Sequence, residues 1–192
     1  MPFGRFSVRV GSILAFVAVS LLYLPRARAR EPSFTPFDVR TVFYISKSDD
    51  RNRVDYGIHL DAGCVPSTDD AVFPYWREFE NSPPVRIHTL GMFEYFPYGI
   101  SEQRTVSKTP AGVVHVMTLR QFRKWPIRIL IRKEADGHCE AHARTTILGK
   151  DAELTFVYVR LVRGGLAPSV DSVEMHGKAI DTGQEVLERL RR

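Results

Sequence analysis

The 192-residue chain carries 27 Lys and Arg against 22 Asp and Glu, a formal charge of +5. Four of the arginines, Arg5, Arg9, Arg26 and Arg28, fall in the first 29 residues and no acid does, so the remainder holds 23 basic against 22 acidic residues, or +1. That balance excludes a general nucleic-acid footprint, and the about 163 residues involved suffice for one domain with a proper core but not for two of ordinary size.

Arg5 and Arg9 precede an uncharged apolar run from Val10 to Leu24, and Ala27-Arg28-Ala29 supplies the small-x-small pattern that a signal peptidase reads. Residues 1–29 are therefore expected to be a cleaved signal peptide, with the mature chain starting at Arg30 in the periplasm or outside the cell. A run of 15 residues is shorter than the about 20 that a spanning helix needs, so no transmembrane segment is expected after processing. Pro32 and Pro36 mark residues 30–38 as a flexible lead-in to a single β-rich domain over 39–192.

Val39 to Ser46 is rich in β-branched and aromatic residues and ends in the polar turn Lys47-Ser48-Asp49-Asp50-Arg51-Asn52. Val54 to Leu60 resumes as a strand, with Val54, Tyr56, Ile58 and Leu60 on one face and Asp55, Gly57 and His59 on the other. The two segments predict a hairpin. Cys64, in the loop that follows, has one possible partner, Cys139, and an oxidising compartment favours a disulfide between them.

Ala71 to Phe79 carries Phe73, Tyr75 and Trp76, and Met92 to Tyr98 is again aromatic, so both read as strands. Gly112 to Leu119 is β-branched, and Ile127, Ile129 and Ile131 alternate with Arg128, Leu130 and Arg132. Cys139 to Ile147 and Leu154 to Val162 are joined by Leu148-Gly149-Lys150-Asp151, a second hairpin. Leu154 to Val162 is apolar on both faces apart from Arg160, as in a central strand. Val170 to Ile180 is a further strand, while Val186, Leu187 and Leu190 suggest one short C-terminal helix over Gly183 to Arg192. The pattern predicts an all-β fold, an antiparallel β-sandwich with a lipocalin-like barrel as the alternative.

FYISKSDDRNRVDYGIHLDAGCVP (Phe43 to Pro66), VFPYWREFE (Val72 to Glu80) and YGISEQ (Tyr98 to Gln103) together resemble a bacterial secreted family known as domain of unknown function 4833. Asp50 stands where the family's turn carries the first of two Asn residues, with Asn52 at the second. The resemblance implies a secreted, mostly β protein, and it implies no activity or catalytic residues.

Three constellations carry candidate chemistry. Arg120, Arg123, Lys124, Arg128 and Arg132, around Trp125, predict a basic surface for an anionic envelope lipid or glycan. Tyr75, Trp76 and Tyr98, within a larger aromatic set that includes Phe93, Tyr95 and Phe96, predict either a ligand platform or core packing. His138, Glu140 and His142 share one face of a strand and offer imidazole and carboxylate ligands, but alternate residues lie nearly 7 Å apart, too far for one ion without a bulge. No GxSxG, HExxH, P-loop or Rossmann pattern occurs, so no catalytic residue and no cofactor is expected. The reading is a non-enzymatic module that binds a cell-envelope lipid, glycan or protein; a small envelope hydrolase and a metal-binding module are the alternatives.

Overall fold

The computed structural model describes residues 40–48, 50–79, 85–162 and 169–191. The expected signal segment 1–29 and lead-in 30–38 lie outside the described residues. Polar turns and alternating apolar residues set the first strands: β1 (Arg40–Lys47) and β2 (Arg53–Ile58) form the expected hairpin, and β3 (Val72–Glu78) and β4 (Arg86–Thr89) extend it antiparallel. A short helix, α1 (Met92–Tyr98), then leads into a meander of β5 (Ile100–Thr109), β6 (Gly112–Leu119), β7 (Ile127–Lys133) and β8 (Cys139–Ile147). The chain closes with β9 (Lys150–Val162), β10 (Ser169–Ala179) and β11 (Glu185–Arg191). Between β8 and β9 the turn residues Leu148 and Gly149 both have positive φ, 51° and 74°, as a two-residue turn matched to the strand twist requires.

All eleven strands belong to one mixed sheet that does not close into a barrel, and β9 is its spine. Along one edge β9 is paired with β10 from Ala152 to Val162. Along the other it pairs first with β8, through Lys150 to Glu153, and then in parallel with β1, through Phe156 to Val159. The sheet therefore forks at β9 into two leaves, β1 to β4 and β5 to β8. Their inner faces meet in a single core that joins Phe43, Ile45, Val54 and Tyr56 to Met117, Leu119, Ile129 and Ile131, a sandwich-like arrangement. Each such side chain contributes about 1.5–3 kcal/mol by leaving water.

A bulge marks the fork. Between Leu154 and Phe156, β9 spends one residue more than β10, and the buried positions switch from Ala152 and Leu154 to Val157. This is why the segment looks apolar on both faces: the inward face changes parity at Thr155. Opposite the bulge, a Cβ on Gly177 would come within 2.4 Å of the Glu153 carbonyl oxygen, so only glycine fits there.

Two further ties hold the leaves together. Cys64 and Cys139 form the expected disulfide, with Cα atoms 5.4 Å apart. On the opposite side, the Gln103 side chain of β5 accepts from the Val72 amide and donates to the Val72 carbonyl, both at 3.0 Å. A side-chain amide thus takes the place of a neighbouring strand along that stretch of β3. Gln103 is held in turn by His115 of β6, fully buried, whose Nε2 lies 3.1 Å from Gln103 Oε1 and whose Nδ1 lies 3.2 Å from the Thr105 hydroxyl.

Three expectations need correction. The C-terminal segment is strand β11, not a helix: Val186 and Leu190 both pack against the core, and a spacing of four serves one face of a strand as well as one face of a helix. The aromatic segment Met92 to Tyr98 is helix α1, not a strand. The sheet is mixed and not wholly antiparallel, because β1 and β9 run parallel.

Candidate functional site

Helix α1 stands at a corner of the fold and buries none of its residues. Glu94 makes the turn possible by accepting from the Gly91 amide at 2.7 Å, an N-terminal cap. At the other end the Gly99 amide donates to the Tyr95 carbonyl at 2.8 Å. A Cβ on Gly99 would meet that oxygen at 2.3 Å, so the exit needs glycine. Pro97, with no N–H to continue the ladder, keeps the helix to about two turns.

The helix is pinned by its C-terminal end. The Tyr56 hydroxyl, buried in the core, donates to the Tyr98 carbonyl at 2.6 Å, and the Tyr98 ring meets Trp76 edge-on with centroids 5.8 Å apart. The residues before it point outward: Met92 is 81% exposed, Phe93 86%, Phe96 68% and Tyr95 40%. Leaving three large apolar side chains in water on one short helix forgoes the burial that governs the rest of the chain.

The β6–β7 loop lies against this corner. The Arg120 amide donates to the Gly99 carbonyl at 3.0 Å, and the Arg120 guanidinium sits over the Tyr95 ring, 5.1 Å from its centroid. Two consecutive turns, closed by the Phe122 amide on the Leu119 carbonyl and the Trp125 amide on the Phe122 carbonyl, set Phe122 and Trp125 against the core. Arg120, Arg123 and Lys124 face solvent. The corner therefore combines exposed apolar groups with three cations.

The expected basic surface divides. Arg120 stands over α1 with Arg123 and Lys124 exposed further along the same loop, but Arg128 is paired with Asp151 at 2.6 Å. Arg132 lies four residues further along β7, about 13 Å away, in a groove with Glu134, Glu140 and Glu153. The expected aromatic platform divides as well. Tyr75 and Trp76 are core residues at 2% and 7% exposure, and Tyr98 is half-buried. The alternation of β3 sends Trp76 inward, and Tyr75 is covered on the other side by Arg77 and Thr41.

His138, Glu140 and His142 do share a face, and they form a continuous row with neighbouring acids. Asp136 bonds His138 Nδ1, His138 Nε2 lies 3.4 Å from Glu140, His142 Nε2 lies 3.2 Å from Glu140, and His142 Nδ1 lies 2.8 Å from Glu153. Each imidazole nitrogen faces a carboxylate, Glu140 being shared by the two rings, and among the described residues no group of three or more His, Cys, Asp or Glu is arranged to hold a metal ion. The hydrogen bond to Glu153 raises the His142 pKa, and that to Asp136 raises the His138 pKa. The adjoining groove, about 120 Å³, is lined by Leu130, Arg132, Glu134, Glu140, His142, Arg144 and Glu153, with no Ser, Thr or Cys to serve as a nucleophile.

Strand alternation places Asp55 on the face opposite Val54, Tyr56 and Ile58 but does not show that it is fully buried there. Asp55 accepts from Arg53 Nε and Arg77 Nε, both at 2.6 Å, and from the Thr41 hydroxyl at 3.4 Å. The carboxylate ties β1, β2 and β3 together from outside the main core. Two cations and a hydroxyl compensate its burial.

Among the described residues no helix is long and apolar enough to cross a membrane, and the disulfide fits a chain exported to an oxidising compartment. No curated protein and no solved structure matches the chain. The family pattern described as domain of unknown function DUF4833 matches residues 43–189, the two leaves and the α1 corner included, and the chain belongs to that family.

Proposed function

We propose that this protein is an exported, non-enzymatic module that attaches to the cell envelope through the α1 corner. Its address is supported by the short apolar run before Ala27-Arg28-Ala29 and by the disulfide. The observation that carries the attachment is the exposure of Met92, Phe93 and Phe96, three large apolar side chains on one helix that lends only Tyr98 to the core. Singly exposed apolar residues are ordinary, but a contiguous group is a contact surface.

The experiment is sedimentation of the purified protein with envelope fractions of its native host. Association is expected, and the Met92→Ser/Phe93→Ser/Phe96→Ser variant should lose it while unfolding at the same temperature as the parent. Association that survives those three substitutions would remove the α1 corner from the reading, and no association at all would remove the reading itself.

A further inference from the structure

We infer that the occupant of the α1 corner is an anionic lipid surface, an inference that rests on the attachment reading and names its partner. The shape is the first argument. Neither the groove beside His142 nor the larger hollow between the Cys64 loop and the β5–β6 turn is lined by any residue of α1. The helix instead presents its apolar side chains outward at 68% to 86% exposure. A protruding group of this kind suits a fluid surface that yields to it, into which Met92, Phe93 and Phe96 pass with their apolar area removed from water.

Charge is the second argument. Among the described residues none of Arg120, Arg123 and Lys124 forms an ion pair. The acid on α1, Glu94, keeps its charge while it caps the Gly91 amide, so α1 and the β6–β7 loop together hold three cations against one acid. The balance over α1 and the adjoining loop is therefore positive, the combination with exposed apolar groups that draws a protein to anionic headgroups and then holds it. Tyr95 joins the two parts, its ring under the Arg120 guanidinium and its own position on α1. Tyrosine and tryptophan favour the headgroup level, where one end of the side chain is apolar and the other wet. A sugar is the poorer fit: glycan stacking needs flat ring faces with hydrogen-bonding partners beside them, and Met92 supplies neither.

The test uses protein-free vesicles of pure phosphatidylglycerol and of pure phosphatidylcholine, at low and high salt. Binding to phosphatidylglycerol should exceed binding to phosphatidylcholine and weaken as salt screens exposed charges beyond about 8 Å at physiological strength. Phe93→Ser and Phe96→Ser should each reduce partitioning by about tenfold or more, and Arg120→Glu/Arg123→Glu/Lys124→Glu by about a hundredfold or more. A Phe93→Trp variant should shift its fluorescence to the blue on adding phosphatidylglycerol, an insertion signal that a merely structural role would not produce. Equal binding to both lipids, or no binding to phosphatidylglycerol at low salt, overturns the inference. If native envelopes still bind the protein in that case, attachment stands with a protein or glycan as partner; if neither binds, both readings fall.

Discussion

Phe73, Tyr75 and Trp76 on β3 and Phe93, Tyr95 and Phe96 on α1 are alike in composition and opposite in fate. The first group belongs to a strand with β2 on one side and β4 or Gln103 on the other, so its neighbours close over it. The second belongs to a helix flanked by two glycines, tied down at one end, where Arg120 lies over Tyr95 and the described residues leave Phe93 and Phe96 exposed. The difference teaches that aromatic content locates neither core nor contact surface. What decides is whether the backbone on both sides has a partner.

The sharpest way to break the comparison is to truncate one residue of each group. Trp76→Ala should cost about 3–5 kcal/mol of stability, and Phe93→Ser should stay within about 0.5 kcal/mol, both read from urea unfolding. A large loss at Phe93 would mean that α1 is part of the core after all.

Removing the disulfide asks whether the order of β3 depends on the tie beside it. The loop it closes spans 75 residues, so Cys64→Ser/Cys139→Ser should lower stability by about 4 kcal/mol. Envelope association below the new melting temperature should be unchanged, since α1 hangs from Tyr56 and Gly99 and not from the disulfide.

Asp55→Asn separates the outer clasp of β1, β2 and β3 from the core beneath. Charge-assisted hydrogen bonds to Arg53 and Arg77 would weaken, and a loss of about 1.5–3 kcal/mol is expected in the same measurement. An unchanged midpoint would show that the two arginines, each partly exposed, find water as good a partner.

The smallest expected effect is a pH dependence carried by two histidines of the β5–β8 leaf, His115 on β6 and His142 on β8. Burial lowers the His115 pKa below 6.5, so its contribution is complete above that value and is lost as pH falls through the depressed folded pKa. His142 runs the other way: its raised pKa gives stability that is complete below 6.5 and is lost as pH rises through the folded value. Unfolding curves between pH 5 and 8 should show the acid limb flattened in His115→Gln and the alkaline limb flattened in His142→Gln.

Much of this architecture is legible from local signals. The polar turn after Ser46 and the Leu148-Gly149 pair announce their hairpins because turn chemistry is local. Cys64 and Cys139 announce the bridge because they have no other partner. α1 escapes because its aromatic residues read as strand formers, and the signs to the contrary, Gly91, Pro97 and Gly99, resemble ordinary turn punctuation. β5 escapes because ISEQRTVSKT is mostly polar and only one of its edges is covered by a strand. Asp55 could not be placed at all from its own neighbourhood, since Arg77 reaches it from 22 residues away. In the same way, the basic stretch from Arg120 to Arg132 reads as one surface until Asp151, on another strand, takes Arg128 out of it.

The parallel pairing of β1 with β9 also governs when this protein can finish folding. Tyr44 lies opposite Phe156, 112 residues later (156 − 44), so one edge of the first hairpin waits for a strand made long after it. Closing so long a loop is entropically slow. Within the meander from β5 to β8 every strand pairs with the next one along the chain, so it can assemble first. Refolding should therefore be biphasic, with the β5–β8 leaf protected from hydrogen exchange before β1. Until β9 arrives, the free edge of β1 is the segment most open to pairing with the wrong chain.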